Sequence, residues 1–267
     1  MLLAVSISAN ILIAAGIIIL FVLLRREREV RKQRGLFGAW PIRKVAPEDF
    51  DPVFASGPLG PGRQTEIRSI GAYRVAGGIG DFETWIICNL AKSAELIFEF
   101  GTCTGKTTYL LAANAPTATV VTLTLRPEDV ASYQEVSGDD FAAFQAAQSE
   151  SGFDTFFYNG TKEEEHIIQL FGDSKKFDES RFGAKADLVF VDGAHARSYV
   201  ESDSQKALNM IKSGGIVLWH DYRGPRRASG VFEALNSLAT QIDLVHIAGT
   251  SFVAYRAPLN PVRPYSA

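Results

Sequence analysis

The chain has 267 residues, of which 46% are hydrophobic and 21% are charged, a composition typical of a folded protein. Disordered chains contain fewer apolar residues, and a disulfide-stabilised scaffold needs more cysteines than Cys88 and Cys103. The formal net charge of −3 argues against a general nucleic-acid binder. Only one segment is apolar enough to cross a bilayer, which excludes a polytopic membrane protein, and the length allows one large domain or two small ones.

The N-terminal segment Leu2–Leu24 contains no charged residue and is followed by a basic flank. As a helix this segment would extend about 34 Å, enough for a hydrocarbon core of about 30 Å. A cleaved signal peptide is the less favoured alternative, because it carries positive charge before its apolar run. The sequence predicts an uncleaved single-pass membrane anchor over residues 1–24, and the positive-inside rule predicts that the rest of the chain lies on the cytoplasmic side.

The flank between Arg25 and Arg34 has six basic and two acidic residues, a charge of +4, so the remainder of the chain carries −3 − 4 = −7. This flank and the glycine- and proline-rich stretch after it, residues 25–65, are interpreted as a linker that partly packs on the main domain. Residues 66–260 are predicted to form that domain, and residues 261–267 a tail.

Seven apolar runs of the main domain are predicted to be β-strands: Glu95–Phe100, Ala118–Leu123, His166–Phe171, Ala186–Val191, Gly215–Trp219, Leu244–Ile247 and Phe252–Tyr255. Helical patterns separate the earlier strands, which predicts a parallel sheet covered by helices on both faces. The last two strands are joined by only four residues and must be antiparallel neighbours. The predicted fold class is therefore a doubly wound, mostly parallel seven-stranded α/β sheet with an antiparallel last strand, which binds ligands at the carboxyl ends of its strands.

The first predicted strand runs through a glycine-rich turn, Glu99–Lys106 (EFGTCTGK), directly into a helix. Glycines let the backbone approach a ligand at the free N–H groups of a helix N-terminus. The turn does not match the dinucleotide fingerprint G-x-G-x-x-G, because Cys103 stands where the second glycine is required. It matches only the end of the phosphate-loop motif G-x-x-x-x-G-K-[ST], at Gly105–Thr107, because the first glycine of that motif would fall at Phe100. The acidic-x-Gly-x-x-x-Gly loop of class I S-adenosylmethionine-dependent methyltransferases fits without adjustment.

Four further segments resemble the small O-methyltransferase-like branch of that superfamily, which includes the catechol and caffeoyl-coenzyme A enzymes. They are Leu170–Ser174 (LFGDS), Leu188–His195 (LVFVDGAH), Gly214–Tyr222 (GGIVLWHDY) and Gly249–Arg256 (GTSFVAYR). Together with the glycine-rich turn they follow the order and spacing of the family from about Gly77 to Arg256. The resemblance implies a Rossmann-like transferase that uses S-adenosyl-L-methionine.

The resemblance also implies a set of cofactor-binding residues: Glu99, Gly101, Thr102, Gly105, Thr124, Asp173, Ser174 and Asp192. The glycine-rich turn would pass under the methionine part of the cofactor, with Glu99 holding its amino group directly or through water. Asp173 and Ser174 would lie near the adenine, although a helix N-cap is an equally good interpretation of Asp173.

The second strand departs from the family pattern. Thr124 stands where an acidic residue normally accepts hydrogen bonds from both ribose hydroxyls, and a threonine hydroxyl cannot accept both as a carboxylate does. The loss is expected to weaken cofactor binding by about 1 to 3 kcal/mol, unless Glu128 or Asp129 compensates from the next loop.

The catalytic candidates follow the fourth and fifth strands: Asp192, His195, His220 and Asp221. In metal-dependent relatives, an Asp after strand four and an Asp-Asn pair after strand five hold a divalent ion. Asp192 and Asp221 match two of these ligands of a metal such as Mg²⁺, but Tyr222 replaces the Asn. His195 occupies the place of the family's general-base Lys, and a neutral His can accept a hydroxyl proton without a metal. The structural alternative is that His195 only forms hydrogen bonds and that Asp192 belongs to a turn.

The expected function is O-methylation of a hydroxyl on a small molecule, a glycan or a lipid-linked compound near the membrane, with His195 as the base. Asp192 and Asp221 would orient His195 or hold Mg²⁺, and Asp203 on the following helix would face this cluster or solvent. The expected partners are this acceptor and the bilayer, through residues 2–24, with no nucleic acid; an oligomer is compatible with the sequence. Two alternatives stay open: a non-catalytic binding or scaffold protein, and a nucleotide hydrolase that uses Gly105–Thr107.

Overall fold

The computed structural model describes residues 16–26, 40–71, 75, 78–133, 136, 139 and 141–259. The chain divides into two compact units, Met1–Trp40 and Pro41–Ala267. In the first unit the described residues include one helix, α1, over residues 16–26. The basic flank beyond Arg26 and the tail at 261–267 lie outside the described residues.

The predicted membrane anchor is wrong. No helix in the part of the chain that the structure describes is both long and apolar enough to cross a membrane. The first part of the predicted anchor, residues 2–15, lies outside the described residues. Three further predictions were derived from this anchor and are corrected together with it. They are the single-pass topology, the bilayer as a partner and the location on the cytoplasmic side.

In the second unit the described residues form ten strands. They are β1 Arg43–Val45, β2 Ser56–Gly57, β3 Gly60–Pro61, β4 Leu96–Phe100, β5 Thr119–Thr124, β6 Ile167–Phe171, β7 Ala186–Val191, β8 Ile211–Trp219, β9 Val245–Ile247 and β10 Val253–Arg256. The helices are α2 Pro47–Phe50, α3 Asp81–Ala91, α4 Lys106–Asn114, α5 Phe141–Glu150, α6 Arg197–Met210 and α7 Ser229–Leu238.

Eight of these strands form one sheet, in the order β1-β9-β10-β8-β7-β4-β5-β6. Strand β10 is antiparallel to both of its neighbours, and the other adjacent pairs are parallel. Strands β2 and β3 form a separate hairpin. A mostly parallel sheet with crossover helices was predicted, and so was the antiparallel strand near the end of the chain.

The predicted strand count of seven is wrong, because the sheet has eight strands. All seven predicted runs are strands, and the eighth, β1, lies inside the segment interpreted as a linker. It pairs in parallel with β9, where Arg43 is opposite Val245. Of its three residues only Val45 is buried, so the segment shows neither an apolar run nor an alternating pattern that could predict a strand.

Packing covers both faces of the sheet. On one face Ile87 of α3 and Leu111 of α4 are fully buried in the same cluster as Phe190. On the opposite face Phe98 packs against Phe177 and Phe182, with ring centroids 5.4 and 5.2 Å apart. Since the parallel strands β4, β5, β7 and β8 end at one edge of this rigid sheet, the residues that follow them are brought together there.

Candidate active site

Two glycines shape the turn between β4 and α4. Gly101 has a φ of +98°, and a Cβ there would lie 2.1 Å from the carbonyl oxygen of Asp192. Gly105 has a φ of +73°, and a Cβ there would lie 2.8 Å from the Cβ of Phe156. Both the left-handed backbone and the close approach exclude larger residues. The turn is therefore held directly against the end of β7.

Glu99 lies beneath this turn and is fully buried. Its Oε2 accepts hydrogen bonds from the hydroxyls of Thr108, at 2.5 Å, and Thr122, at 2.7 Å, while its Oε1 has no hydrogen-bond partner. Thr102 joins the same network, 2.8 Å from the Thr122 hydroxyl. Burial raises the pKa of Glu99 to about 8. The carboxyl thus braces the turn from below.

A first cavity, cavity A, opens at the ends of β4, β5, β6 and β7 and measures about 530 Å³ including the open space at its mouth. Of the predicted cofactor-binding residues, Gly101, Thr124, Ser174 and Asp192 line it. Asp173 does not line it. Instead its Oδ1 accepts a hydrogen bond from the backbone N–H of Lys175, at 3.0 Å, as in the N-cap interpretation. The predicted adenine contact of Asp173 therefore has no support from this geometry.

An aromatic wall closes one side of cavity A. The rings of Tyr133 and Tyr199 stack with centroids 4.4 Å apart and planes inclined by 15°, and both residues line the cavity. The Nζ of Lys175 lies 3.9 Å from the centroid of Tyr199. Leu125 and Ala194 pack against the same cluster. A flat, largely apolar wall of this kind suits a planar aromatic ligand ring.

A second cavity, cavity B, lies over the β4–α4 turn and the ends of β7 and β8 and measures about 750 Å³ including its mouth. The predicted residues Thr102, His195, His220 and Asp221 line it. Both cavities share four lining residues, namely Gly101, Cys103, Glu150 and Asp192. The two cavities are therefore adjoining halves of one cleft.

His195 and Asp221 form a close pair in cavity B. The His195 Nε2 lies 2.6 Å from the Asp221 Oδ2, and the other oxygen of Asp221 lies 2.6 Å from the Nη2 of Arg223. Burial lowers the pKa of His195, but the hydrogen bond and the charge of Asp221 outweigh it and raise the pKa to about 9. Burial would raise the pKa of Asp221, but the charges of His220, His195 and Arg223 hold it well below its usual value.

His220 is held between two carboxylates. Its Nδ1 lies 2.8 Å from the Asp192 Oδ1, and its Nε2 lies 3.3 Å from the Glu83 Oε2. Glu83 in turn accepts hydrogen bonds from the backbone N–H and the hydroxyl of Ser251, at 2.7 and 2.8 Å. Burial lowers the pKa of His220, but Asp192, Asp221 and Glu83 raise it well above its usual value. His220 is therefore an imidazolium that positions Asp192, and it is a poor proton acceptor.

Glu150 was not anticipated from the sequence, although the helix that carries it was. It projects from α5, is half-buried and lines both cavities. Burial raises its pKa to about 7, and the nearby charges of Asp192 and Asp221 act in the same direction. Glu83 and the tyrosines of the aromatic wall were also missed. All of them come from helices or loops, where no strand-end pattern marks a site.

The residues of the cluster do not fit Mg²⁺. Asp192, His195 and Asp221 offer ligand atoms within 4.8 Å of one another. However, Mg²⁺ prefers six oxygen ligands in near-ideal octahedral geometry, whereas one of these donors is a nitrogen and both carboxylates are paired with cationic side chains. Tyr222, in place of the family's Asn, is 1% exposed and donates its hydroxyl to Asn236 at 2.7 Å.

The geometry also argues against the nucleotide-hydrolase alternative. A phosphate loop needs a lysine that reaches the phosphates. Here Lys106 is 4% exposed, and its Nζ donates a hydrogen bond to the carbonyl oxygen of Gly71 at 2.7 Å.

Glu128 and Asp129, the suggested substitutes for a ribose-binding acid, are exposed and do not line cavity A.

Residues 98–222 match a family model described as a methyltransferase domain. No curated protein matches the chain. Solved structures that resemble it include the SAH-bound methyltransferase PaMTH1 of Podospora anserina, with 16% identity, 69% of this chain and 81% of that chain covered, and a TM-score of 0.48. The O-methyltransferase TomG of Streptomyces achromogenes has 18% identity, with 67% and 82% covered and a TM-score of 0.47. Cofactor-bound Rv0187 from MTB has 17% identity, with 81% and 99% covered and a TM-score of 0.48.

The match over residues 98–222 spans the glycine-rich turn and the strand ends that form the cleft. It confirms the enzyme class predicted from the sequence: the chain is a S-adenosylmethionine-dependent methyltransferase.

Proposed function

We propose that the enzyme methylates a hydroxyl oxygen of a small polar compound, with the nucleoside part of S-adenosylmethionine in cavity A and the acceptor in cavity B. One observation carries the proposal: the two cavities share the wall formed by Gly101, Cys103, Glu150 and Asp192. A sulfonium at this wall would lie between the apolar half of the cleft and the His195–Asp221 pair.

The methyl group of the cofactor is already activated by its sulfonium charge. The protein must therefore align an acceptor oxygen with the methyl carbon and remove the hydroxyl proton. We assign His195 in cavity B as the acceptor of this proton, because Asp221, 2.6 Å away, can stabilise the imidazolium that forms. His220 and Arg223 hold Asp192 and Asp221 in place from the other side.

The charge state of His195 links proton transfer to the cofactor. Its pKa of about 9 means that the imidazole is protonated at neutral pH in the free enzyme. A sulfonium cation at the shared wall disfavours a second positive charge nearby and so lowers the pKa of His195. Glu150 and Asp192, on that wall, are the carboxylates that can stabilise the sulfonium itself.

The lining of cavity B indicates the class of acceptor. Apart from glycines and Cys103, the described residues around it are polar or charged, with Val75 as the exception. An aromatic acceptor would need an apolar surface for its ring, whereas His195, Thr104 and Thr107 offer hydrogen-bond partners on several sides. A compact compound with several hydroxyls, such as a sugar derivative, fits these walls. The membrane proximity expected of the acceptor rested on the corrected anchor and is not part of the proposal.

The proposal is tested by incubating the enzyme with methyl-labelled S-adenosylmethionine and a panel of hydroxyl compounds that contrasts sugars and polyols with catechols. Label transfer to a polar, non-aromatic hydroxyl is the expected result, and transfer only to catechols would contradict the acceptor class. Calorimetry with S-adenosylmethionine runs in parallel. If no binding is detected at millimolar cofactor, the proposed position of the cofactor in cavity A is wrong.

A further inference from the structure

Asp203 is a buried acid that the proposed reaction does not use. It lies on α6, is 2% exposed and lines cavity A. Its Oδ1 is buried without a hydrogen-bond partner. A buried polar atom with no partner costs free energy that a ligand can recover by supplying the missing donor. The sequence alone left open whether Asp203 faces the catalytic cluster or solvent; it faces neither solvent nor the His195–Asp221 pair but the other half of the cleft.

The surroundings of Asp203 define which part of a ligand it would meet. Its Oδ2 lies 3.6 Å from the position of a Cβ on Gly193, which follows β7. Ser174, which follows β6, forms a hydrogen bond with its side chain. The stacked ring of Tyr199, one helical turn earlier on α6, lines the same cavity. Asp203 therefore lies where the aromatic wall meets the ends of β6 and β7.

Burial raises the pKa of Asp203 to about 7, and the charge of Asp173 adds to this effect, while Ser174, Lys206 and Lys175 act against it. An acid retained in such a place needs an explanation, because an apolar residue of similar size would avoid the desolvation cost. Shifted groups of this kind concentrate at functional sites.

We infer that Asp203 recognises the adenine ring of the cofactor, by accepting a hydrogen bond from its exocyclic amine. The inference rests on the proposed cofactor position in cavity A. The resemblance to known methyltransferases pointed instead to Asp173. That residue caps the turn after β6 through its Oδ1. Its Oδ2 also has no hydrogen-bond partner, but the Nζ of Lys176 lies 3.7 Å from it, and Asp173 does not line cavity A whereas Asp203 does.

The wild-type enzyme provides a test without any substitution. Isothermal titration calorimetry compares S-adenosylhomocysteine with S-inosylhomocysteine, in which an oxygen replaces the exocyclic amine. An acceptor at Asp203 binds the amine and repels the oxygen, so the adenine compound should bind at least about tenfold more tightly. Equal affinities would overturn the inference while leaving the proposed cofactor intact. If neither compound binds at millimolar concentration, the proposed cofactor position fails, and the inference fails with it.

Alanine variants of Asp203 and Asp173 then show which of the two acids distinguishes the adenine compound from the inosine compound. Asp203→Ala should weaken the binding of S-adenosylhomocysteine about tenfold and abolish the preference over the inosine compound. Asp173→Ala removes an acid of the same neighbourhood and should keep the preference. The reverse pattern would overturn the inference and return the role to Asp173. If Asp203→Ala does not fold, Asp173→Ala decides alone: a retained preference supports Asp203, and a lost one overturns it.

Discussion

The two halves of the cleft compensate their buried charges in different ways. In cavity B each carboxylate of the cluster has a cationic partner from the protein itself: His195 and Arg223 pair with Asp221, and His220 pairs with Asp192. In cavity A the wall is aromatic and the carboxyl of Asp203 keeps an oxygen without a hydrogen-bond partner. Cavity B is therefore organised to hold and move a proton, and cavity A is organised to receive hydrogen-bond donors from a ligand.

The largest expected effect comes from removing the base in cavity B. His195→Gln keeps a polar side chain of similar reach but cannot accept the proton, and should lower kcat by about 10²- to 10⁴-fold. Binding of S-adenosylhomocysteine, measured by calorimetry, should change little, because His195 does not line cavity A. The matched control is His166→Gln, at an exposed position outside both cavities. A kcat within tenfold of the wild-type value would exclude His195 as the base.

The pairing in cavity B also predicts the pH dependence of the reaction. Only the neutral imidazole accepts a proton, so kcat/KM should rise with pH until His195, with a pKa of about 9, is deprotonated in the free enzyme. Asp221→Asn removes the carboxylate that raises this pKa. The rising limb of the kcat/KM profile should therefore move to lower pH, by about one to three units.

If the rising limb of the kcat/KM profile does not move in Asp221→Asn, the group that titrates is not His195. Glu150, with a pKa of about 7, is the next candidate on the shared wall. Glu150→Gln provides the control, because it removes that titration and leaves the His195–Asp221 pair in place. In this variant the limb should move to lower pH by less than in Asp221→Asn, because the charge of Glu150 raises the pKa of His195 less than the hydrogen bond and charge of Asp221 do.

A smaller effect is expected at the ribose side of cavity A. Thr124 ends β5 and lines the cavity, and Thr124→Asp restores an acceptor for two hydroxyls. The affinity for S-adenosylhomocysteine should increase about tenfold. Thr119→Asp, at the other end of the same strand and away from the cavity, is the matched control. Unchanged affinity in Thr124→Asp would mean that the ribose lies elsewhere in the cleft.

The sequence predicted those parts of the fold and the site that depend on local patterns. Continuous apolar runs marked the seven strands, and a polar residue directly after a parallel strand has to lie at the ligand-binding edge, which is why Asp192, His195 and Asp221 were found together. Gly101 was marked by the glycine-rich pattern of its turn, but its close contact with the end of β7 was not predicted. In these cases the chemistry and the backbone position are encoded within a few residues of each other.

The missed features depend on contacts between distant segments. Glu83 meets Ser251, 168 residues away, and no pattern around either residue predicts the contact. Strand β1 exists because β9 offers it an edge, about 200 residues later in the chain. Glu150 lies on a helix, where an inward acid resembles any other polar residue. For the same reason the sequence named Asp203 but left open which way its side chain faces.

The smallest expected effect is that of metal removal, and it tests whether the charges of cavity B are complete without an ion. Dialysis against EDTA should leave kcat within about twofold of the untreated value, because cationic side chains already compensate both carboxylates of the cluster. In an enzyme whose ion binds the acceptor oxygen, the same treatment abolishes turnover. Loss of activity that Mg²⁺ restores would show that Asp192 and Asp221 exchange their histidine partners for the ion during the reaction. Recovery with a transition metal but not with Mg²⁺ would instead indicate that the His195 nitrogen is a ligand.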